Sequence, residues 1–461
     1  MFEYRDGQLC ADGLPLETLA AQYGTPLYVY SREALDVAYD NLENALDSVG
    51  LPHLICYALK ANPNPVLGRL LAQRGAGVDV VSGGELYLAR QMGFPGARIV
   101  FAGVGKTRAE MEEALSGAGI RAFHVESRPE LEMLSAVAAE MGKVAPVAVR
   151  VNPDVEAHTH PYITTGTATS KFGVSPADAL EMTRQAAADP YLQPIGLHTH
   201  IGSQLADIDP IIEATRRVLE LWDTLAAEGI ALRTLNIGGG LAIPYQPGDM
   251  PEGPAQLAAG LRPLLEGRNL ELELEPGRYL LGPCGVLLTR VLYSKPADGP
   301  DSKPANTSDS KPTNRPDSKP ADRLANAQAG RPRRLIVVDA GMNDLIRPAL
   351  YGAYHPIRPA QEPYADGVPV PTDIAGPICE SSDFLATDRP LPAEAGEPGA
   401  LLVVGQAGAY GFAMASQYNG RPRAAEALVD SSVARVIRPR ETYQDLLPRD
   451  PSLRDLSPKR V

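Results

Sequence analysis

The chain has 461 residues, 44% of them hydrophobic and 21% charged, more than one hydrophobic core holds in most architectures, so two domains are expected. Its formal charge of −13 argues against a nucleic-acid binder, which needs clustered Lys and Arg to displace counterions, and leaves small molecules as natural partners. No apolar run approaches the roughly 18 residues of a membrane span. No basic-then-apolar leader is read at residues 1–7, and Cys10, Cys56, Cys284 and Cys379 show neither zinc nor C-x-x-C spacing. A cytoplasmic protein with free thiols is the expectation. In chain order, residues 27–30 suggest a strand, and the first 30 residues are assigned to pack with a later β domain. Eight short apolar runs then alternate with helical stretches: 54–59, 78–81, 99–102, 122–125, 147–151, 195–200, 234–237 and 270–274. Residues 128–141 and 210–228 carry apolar positions at helical spacing between them.

An open doubly wound sheet would show the same local signature. The placement of polar residues favours a (β/α)8 barrel instead. Lys60, Asp79, Arg150, His200, Gly238, Gly239, Gly240 and Glu275 fall at the C-terminal ends of these runs, and a barrel gathers all such ends onto one rim. The barrel is assigned to residues 31–285. Beyond it, short β-like runs at 286–292, 335–338, 400–404 and 427–429 lie among many Pro and Gly, predicting a mainly β domain over 286–461. Residues 294–333 interrupt that domain. Asp-Ser-Lys-Pro recurs at 301, 309 and 317 with almost nothing apolar to bury, which predicts a disordered insert.

Six local constellations carry chemistry. Lys60, in YALKAN at 57–62, ends an apolar strand; desolvation would lower its pKa and expose a neutral amine able to form a Schiff base, although a lysine emerging into solvent is the blander account. His198 and His200 share one face of a strand and are open to three readings: half a metal site, with His158 and His160 as a further pair; a ring that stacks on an aromatic ligand beside a phosphate held by Ser203; or satisfied structural histidines. The glycines 238–240 let amides approach an anion closely. The string at 103–107 ends like a Walker A loop, but Val100 stands where its first glycine belongs, and a βα turn is the simpler reading. Glu275 can hold a proton on a heterocyclic nitrogen, with Arg278 free to pair with phosphate or carboxylate; a surface ion pair is the alternative. Cys379 beside Glu380 suits a proton donor, and Tyr410 lies among small residues with its hydroxyl accessible. Together these supply what pyridoxal 5′-phosphate needs, whereas metal hydrolysis leaves Lys60 and Glu275 unused.

At this point the sequence resembles the fold-type III pyridoxal-phosphate decarboxylases, and within them the diaminopimelate decarboxylases. The strings are YALKAN at 57–62, HTHIGSQ at 198–204, NIGGGL at 236–241, EPGR at 275–278, VDAGMNDLIRPALYGAYHPI at 338–357, CESSD at 379–383 and GAYG at 408–411. The resemblance covers nearly the whole chain except residues 294–333. It implies an alanine-racemase-like barrel with a β domain and decarboxylation of meso-2,6-diaminopimelate to L-lysine and carbon dioxide. Lys60 would carry the cofactor and His200 would stack on its ring. Ser203, Gly238, Gly239, Gly240 and Tyr410 would lie at its phosphate and Glu275 at its pyridine nitrogen, with Asp79, Gly277 and Arg278 completing the cofactor set. Arg278, Arg347, Tyr351 and Tyr410 would bind substrate, Glu380 its distal amine, and Cys379 would donate the proton. In such enzymes that cysteine comes from the partner subunit, so a homodimer with a shared active site is implied, with no metal. Carboxynorspermidine decarboxylase is the enzymatic runner-up, and a catalytically dead binding partner the reading from another class. Ala242, where the family would have Gly, is the one visible departure.

Overall fold

In this computed structural model the described residues are 1–50, 52–155, 171–296, 334–362 and 369–447. Three short strands, β1 (Phe2–Arg5), β2 (Gln8–Ala11) and β3 (Leu14–Pro15), form a small antiparallel sheet, followed by helix α1 (Leu16–Tyr23) and strand β4 (Leu27–Ser31). Only β4 was expected here. The sheet and helix are too short for their periodicity to rise above background. Helix α2 (Arg32–Asp47), capped by the Ser31 hydroxyl accepting from the Ala34 amide, leads into the barrel.

The barrel is closed, and its eight parallel strands match the eight apolar runs: β5 (His53–Ala58), β6 (Gly77–Val80), β7 (Ile99–Phe101), β8 (Ala122–Val125), β9 (Ala145–Val151), β10 (Leu192–Thr199), β11 (Thr234–Asn236) and β12 (Glu271–Leu274). β12 pairs back onto β5 with Leu274 opposite Ile55, which closes the ring. Helices cover the outside. The helix Asp209–Ala227 turns Ile211, Ala214, Val218, Trp222 and Leu225 onto the strands at spacings of three and four. The other helix expected from spacing is found at Arg128–Glu140. A small apolar cluster of Leu54, Cys56, Val100, Ala122 and Ile195 stands apart from the main core. Because a strand repeats its facing every two residues, the positions two beyond Cys56, Val100 and Ala122 on that face are Ala58, Ala102 and His124. The same alternation takes β10 from His198 to His200, and β12 from Glu273 to Glu275. The barrel interior is thus apolar at one end and polar at the C-terminal rim.

The second domain is built on strand β13 (Gly285–Pro296), which pairs with β4, with β14 (Arg334–Val338) and with β18 (Leu401–Val404). The sheet extends through β16 (Val370–Ala375) to β17 (Phe384–Leu391) on one side. On the other it runs from β4 to β19 (Ala425–Asp430) and β20 (Val433–Arg438), while β15 (Ile357–Pro359) pairs with β18. Ser294, Lys295 and Pro296, expected at the head of the insert, instead pair with Ile336, Leu335 and Arg334 as the end of β13. A partner strand, not apolar content, orders them. The rest of the expected insert, from 297 to 333, lies outside the described residues, as do His158 and His160. A short helix, Arg347–Tyr351, also stands within the domain expected to be mainly β.

The Walker-like string is a βα turn. Thr107 caps the helix Arg108–Leu115 through a capping box with Glu110, and the buried Lys106 Nζ donates to Gly103 O (2.6 Å), His124 O (2.8 Å) and Glu130 Oε1 (2.7 Å). Its charge is spent inside the fold.

Candidate active site

A cavity of about 900 Å³ opens at the C-terminal rim of the barrel, where side chains of the β domain close over it. Lys60, His200, Ser203, Gly238, Gly239, Gly240, Glu275, Gly277, Arg278, Arg347, Tyr351 and Tyr410 all line it, so residues spread over 350 positions of sequence share one wall.

Lys60 sits in a single tight turn, Leu59–Ala61, directly after β5. The turn is pinned from both sides: the Tyr57 hydroxyl donates to Asn62 O (2.6 Å), and Asn62 Nδ2 donates to the Tyr30 hydroxyl and to Gly408 O (both 3.0 Å). Tyr30 in turn donates to Glu426 Oε1 in β19 (2.7 Å), tying the turn to the second domain. Lys60 Nζ lies 3.2 Å from Asp79 Oδ2, with the lysine side chain 41% exposed to the cavity and Asp79 fully buried. The expected lowering of the lysine pKa is not what the surroundings produce. Burial pushes the ammonium down, but the charges of Asp79 and Glu275 outweigh it and hold the pKa above its ordinary value. Asp79 is pushed up by burial and by Glu275, against the pull of Lys60, and its Oδ1 has no hydrogen-bond partner among the described residues.

Glu275 follows β12 at the C-terminal rim of the barrel, on the floor of the cavity. Its two oxygens lie 3.3 Å from His124 Nδ1 and 3.3 Å from His198 Nε2, and Asn236 Nδ2 donates to Oε1 at 3.0 Å. Each imidazole presents a ring nitrogen to the carboxylate without strict hydrogen-bond alignment, a contact that a neutral ring can make. Burial alone would raise Glu275, yet the two histidines hold its carboxyl well below the ordinary carboxylate range. His198 therefore backs a carboxylate. Its companion is His124, the two rings tilted by 34° with centroids 4.3 Å apart, and with Glu275 the pair forms the only group among the described residues with a metal-type donor set. His200 lies at the cavity wall, where the Gly239 amide donates to its Nδ1 at 3.1 Å and thereby keeps that nitrogen unprotonated. Burial, then Arg150 and Lys60, push His200 down to about 3.

The triple glycine is dictated by closeness. Gly238 has a φ of 71°, and a Cβ on Gly239 would sit 2.3 Å from Glu275 O. The Gly238 amide donates to Asn236 Oδ1 (2.8 Å), so two of the three glycine amides already serve protein acceptors. Gln204 bonds both ways with the backbone of Ile243, at 2.6 and 3.3 Å, locking the loop after the glycines. Ala242 is buried there, its amide donating to Leu205 O (3.3 Å), and its conformation needs no glycine.

At the far end, Arg278 donates to the Ser203 hydroxyl from Nε (3.3 Å) and Nη2 (3.2 Å), and from Nη1 to the Tyr245 hydroxyl (2.7 Å). It also lies over the Tyr410 ring at 5.1 Å. Arg347 Nη1 reaches the same Tyr245 hydroxyl (2.9 Å) and His355 Nε2 (3.1 Å). His355 Nδ1 lies 2.9 Å from Gly405 O and must donate to it, so Nε2 is the acceptor for Arg347. Burial, then Arg347, push this histidine down to about 3. Three expected site residues do not line the cavity: Asp79, buried against Lys60, and Cys379 and Glu380, which lie away from it. The last two are exposed; the Cys379 amide donates to Asn419 Oδ1 (2.7 Å) and Tyr418 donates weakly to Glu380 Oε2 (3.4 Å).

Sequence reasoning missed His124, Tyr245 and His355. His124 lies near the end of an apolar strand, a signal close to the one that marked Glu275; His355 sits within the string at 338–357, and Tyr245 carried no local signal.

Residues 35–282 match the family model described as the pyridoxal-binding domain of pyridoxal-dependent decarboxylases. The chain is 44% identical to the diaminopimelate decarboxylase of Aquifex aeolicus over 98% of its own length and 97% of the other's. It is 46% identical to that of Neisseria meningitidis, over 95% and 97%. A solved diaminopimelate decarboxylase from M. jannaschii in complex with L-lysine superposes with a TM-score of 0.84 at 37% identity, covering 98% and 99% of the two chains.

Proposed function

The chain belongs to the diaminopimelate decarboxylases, a branch of the pyridoxal-dependent decarboxylases, and on that premise we propose how its residues divide the work. It removes one carboxylate of meso-2,6-diaminopimelate as carbon dioxide and yields L-lysine, with pyridoxal 5′-phosphate as cofactor. The cavity fits that cofactor: an amine beside a buried carboxylate, a second carboxylate kept ionised by two imidazoles, glycines that no side chain could replace, and a serine hydroxyl bonded to an arginine. When bound, the cofactor supplies a ring that draws off the electron pair left by departing carbon dioxide.

Lys60 would hold the cofactor through its amine. An ammonium is no nucleophile, so it must first give up its proton, and Asp79, at 3.2 Å with an unpartnered Oδ1, is the group placed to receive it. Glu275 would hold the proton on the ring nitrogen, as an ionised carboxylate must. His200, fixed by the Gly239 amide, would cover the ring face. Ser203, Gly238, Gly239, Gly240, Gly277, Arg278 and Tyr410 would gather about the phosphate, and Arg278, Arg347, Tyr351 and Tyr410 would orient the substrate. The placement of Glu275 at the cavity wall, 3.3 Å from His124 and 3.3 Å from His198, is the observation that carries this assignment.

Proton return needs a donor, and the candidates are Lys60 in this cavity and a thiol from outside it. Cys379 of the partner subunit would supply it, with Glu380 holding the distal amine, in a homodimer; the exposure of both residues, away from their own chain's cavity, supports this. We take residues 31–285 as the cofactor-binding unit and 286–461 as the β unit, with residues 1–30 joined to the latter through β4. A cytoplasmic location accords with four free cysteines, of which the exposed Cys379 must stay reduced.

The test has two parts. Lys60→Ala should lose the visible absorbance of bound cofactor and lower lysine release by roughly a thousandfold or more. Mixing inactive Lys60→Ala and Cys379→Ala subunits should restore activity, since the mixed dimer then holds one intact site. No recovery on verified subunit exchange would place the proton donor elsewhere.

A further inference from the structure

Tyr245 stands five residues past the triple glycine, on a loop fixed by Asp249, whose Oδ2 accepts from the amides of Tyr245 (3.0 Å) and Gln246 (2.8 Å). Its ring meets His355 edge-on at 5.4 Å, and it lines the cavity. Two guanidiniums converge on its hydroxyl, Arg278 at 2.7 Å and Arg347 at 2.9 Å, each with its charge also over the ring, at 5.8 and 5.3 Å. Both arginines are buried, and among the described residues neither is paired with a carboxylate. Two buried cations so close repel, and burial together with Arg278 holds Arg347 below its ordinary range. Such a pair requires an anion from outside the chain.

The hydroxyl itself is constrained by its valences. A phenol offers two lone pairs and one proton, and guanidinium groups can only donate. The two arginines therefore use the oxygen as acceptor, and its own proton is left to donate elsewhere in the cavity. We infer that Tyr245 is a substrate-binding residue: its O–H donates a third hydrogen bond to the distal carboxylate that Arg278 and Arg347 bind, while its oxygen sets the spacing of the two guanidiniums. The ligand chemistry is a carboxylate on the end of an extended amino acid. A diamine lacking that group gains nothing from Tyr245. This assignment rests on the decarboxylase reading above.

Tyr245→Phe keeps the ring, its edge against His355 and the surface beneath both arginines, and removes only the hydroxyl. Dissociation constants of L-lysine, which keeps the distal carboxylate, and of 1,5-diaminopentane, which lacks it, are measured by calorimetry on wild-type and variant holoenzyme. Lysine binding should weaken about tenfold or more, as for a hydrogen bond to a charged group, with the diamine unchanged. An equal loss for both ligands would make Tyr245 merely structural. Undiminished or tighter lysine binding would mean that its hydroxyl occupies the carboxylate's own place; either result overturns the inference. If the wild-type enzyme neither binds lysine nor forms it from diaminopimelate, the failure lies instead with the decarboxylase reading.

Discussion

At the barrel end of the cavity Lys60 faces Asp79 and Arg150 faces Glu126 at 2.9 Å, whereas at the end under the β domain Arg278 and Arg347 share one phenol oxygen. The first end has each of these cations paired with a carboxylate without any ligand. The second does not, and its two cations acquire a counter-charge only when an anionic group enters. A preorganised end suits a resident cofactor that must be held in one place through every turnover. An unsatisfied end suits a substrate that arrives and leaves, since its binding relieves a repulsion the free enzyme carries.

The sharpest way to break this comparison is to exchange the charges one end at a time. Glu275→Gln keeps the shape of the floor but removes the charge aimed at the ring nitrogen. By analogy with the loss of one preorganised charge-stabilising group, kcat should fall by roughly 10²–10³-fold with KM little altered. Steady-state lysine release measures it, and a kcat within a few-fold of wild type would detach Glu275 from the chemistry. Arg347→Met, at the other end, should act chiefly on binding. Removing one partner of a desolvated charge pair should weaken diaminopimelate binding on the order of a hundredfold, read as KM or as the lysine dissociation constant. A large kcat loss with unchanged KM would show that the two ends are not separable.

Lys106→Met serves as the contrast for both. This lysine lies 2.7 Å from Glu130 with its side chain 1% exposed, yet it lies behind β8 and does not line the cavity. Leaving Glu130 buried without its partner should cost about 3–5 kcal/mol of stability in denaturant titration, with cofactor binding and KM intact in the folded fraction.

The same contrast explains what was legible in the sequence. The eight barrel strands were readable because each is a short apolar run, many of them followed by a polar residue or a glycine, and a parallel barrel puts all those ends on one rim. Lys60, His200, the glycines and Glu275 came with that pattern. The far end depended on tertiary pairing. Tyr245 is one tyrosine in a Pro- and Gly-rich loop, and its meaning appears only when Arg278, 33 residues later, and Arg347, 102 residues later, arrive at its hydroxyl. His198 was misplaced in part for a related reason. Strand alternation gives its facing but not its cross-barrel neighbour, and that neighbour, His124, lies two strands away in the barrel order. The direction of the Lys60 shift likewise required knowing that Asp79 stands 3.2 Å away, since burial by itself argues the opposite.

The smallest effect separates binding from stability by pH. Burial pushes His198 down to about 4 despite the opposing charge of Glu275, and pushes His200 and His355 to about 3 with help from neighbouring cations. In the unfolded chain each would titrate near about 6.5. Between those values the unfolded state binds more protons than the folded one, so stability falls as pH drops from about 7 toward 4 and is flat above 7. Glu275 acts in the same direction: its folded pKa is depressed, so its stabilising charge is present above the ordinary carboxylate range and lost as acid reaches it. Denaturant midpoints should therefore decline steadily over that window, while lysine affinity from pH 5.5 to 7, where none of the three imidazoles is protonated in the folded enzyme, should owe nothing to them. His355→Gln keeps an amide oxygen to accept from Arg347 and should flatten the stability slope by about one proton per molecule. An unchanged slope would mean that His355 titrates in the folded chain as it does in the unfolded one, and then in acid Arg347 would lose the acceptor at its back and the unsatisfied end of the cavity would carry three cations in place of two.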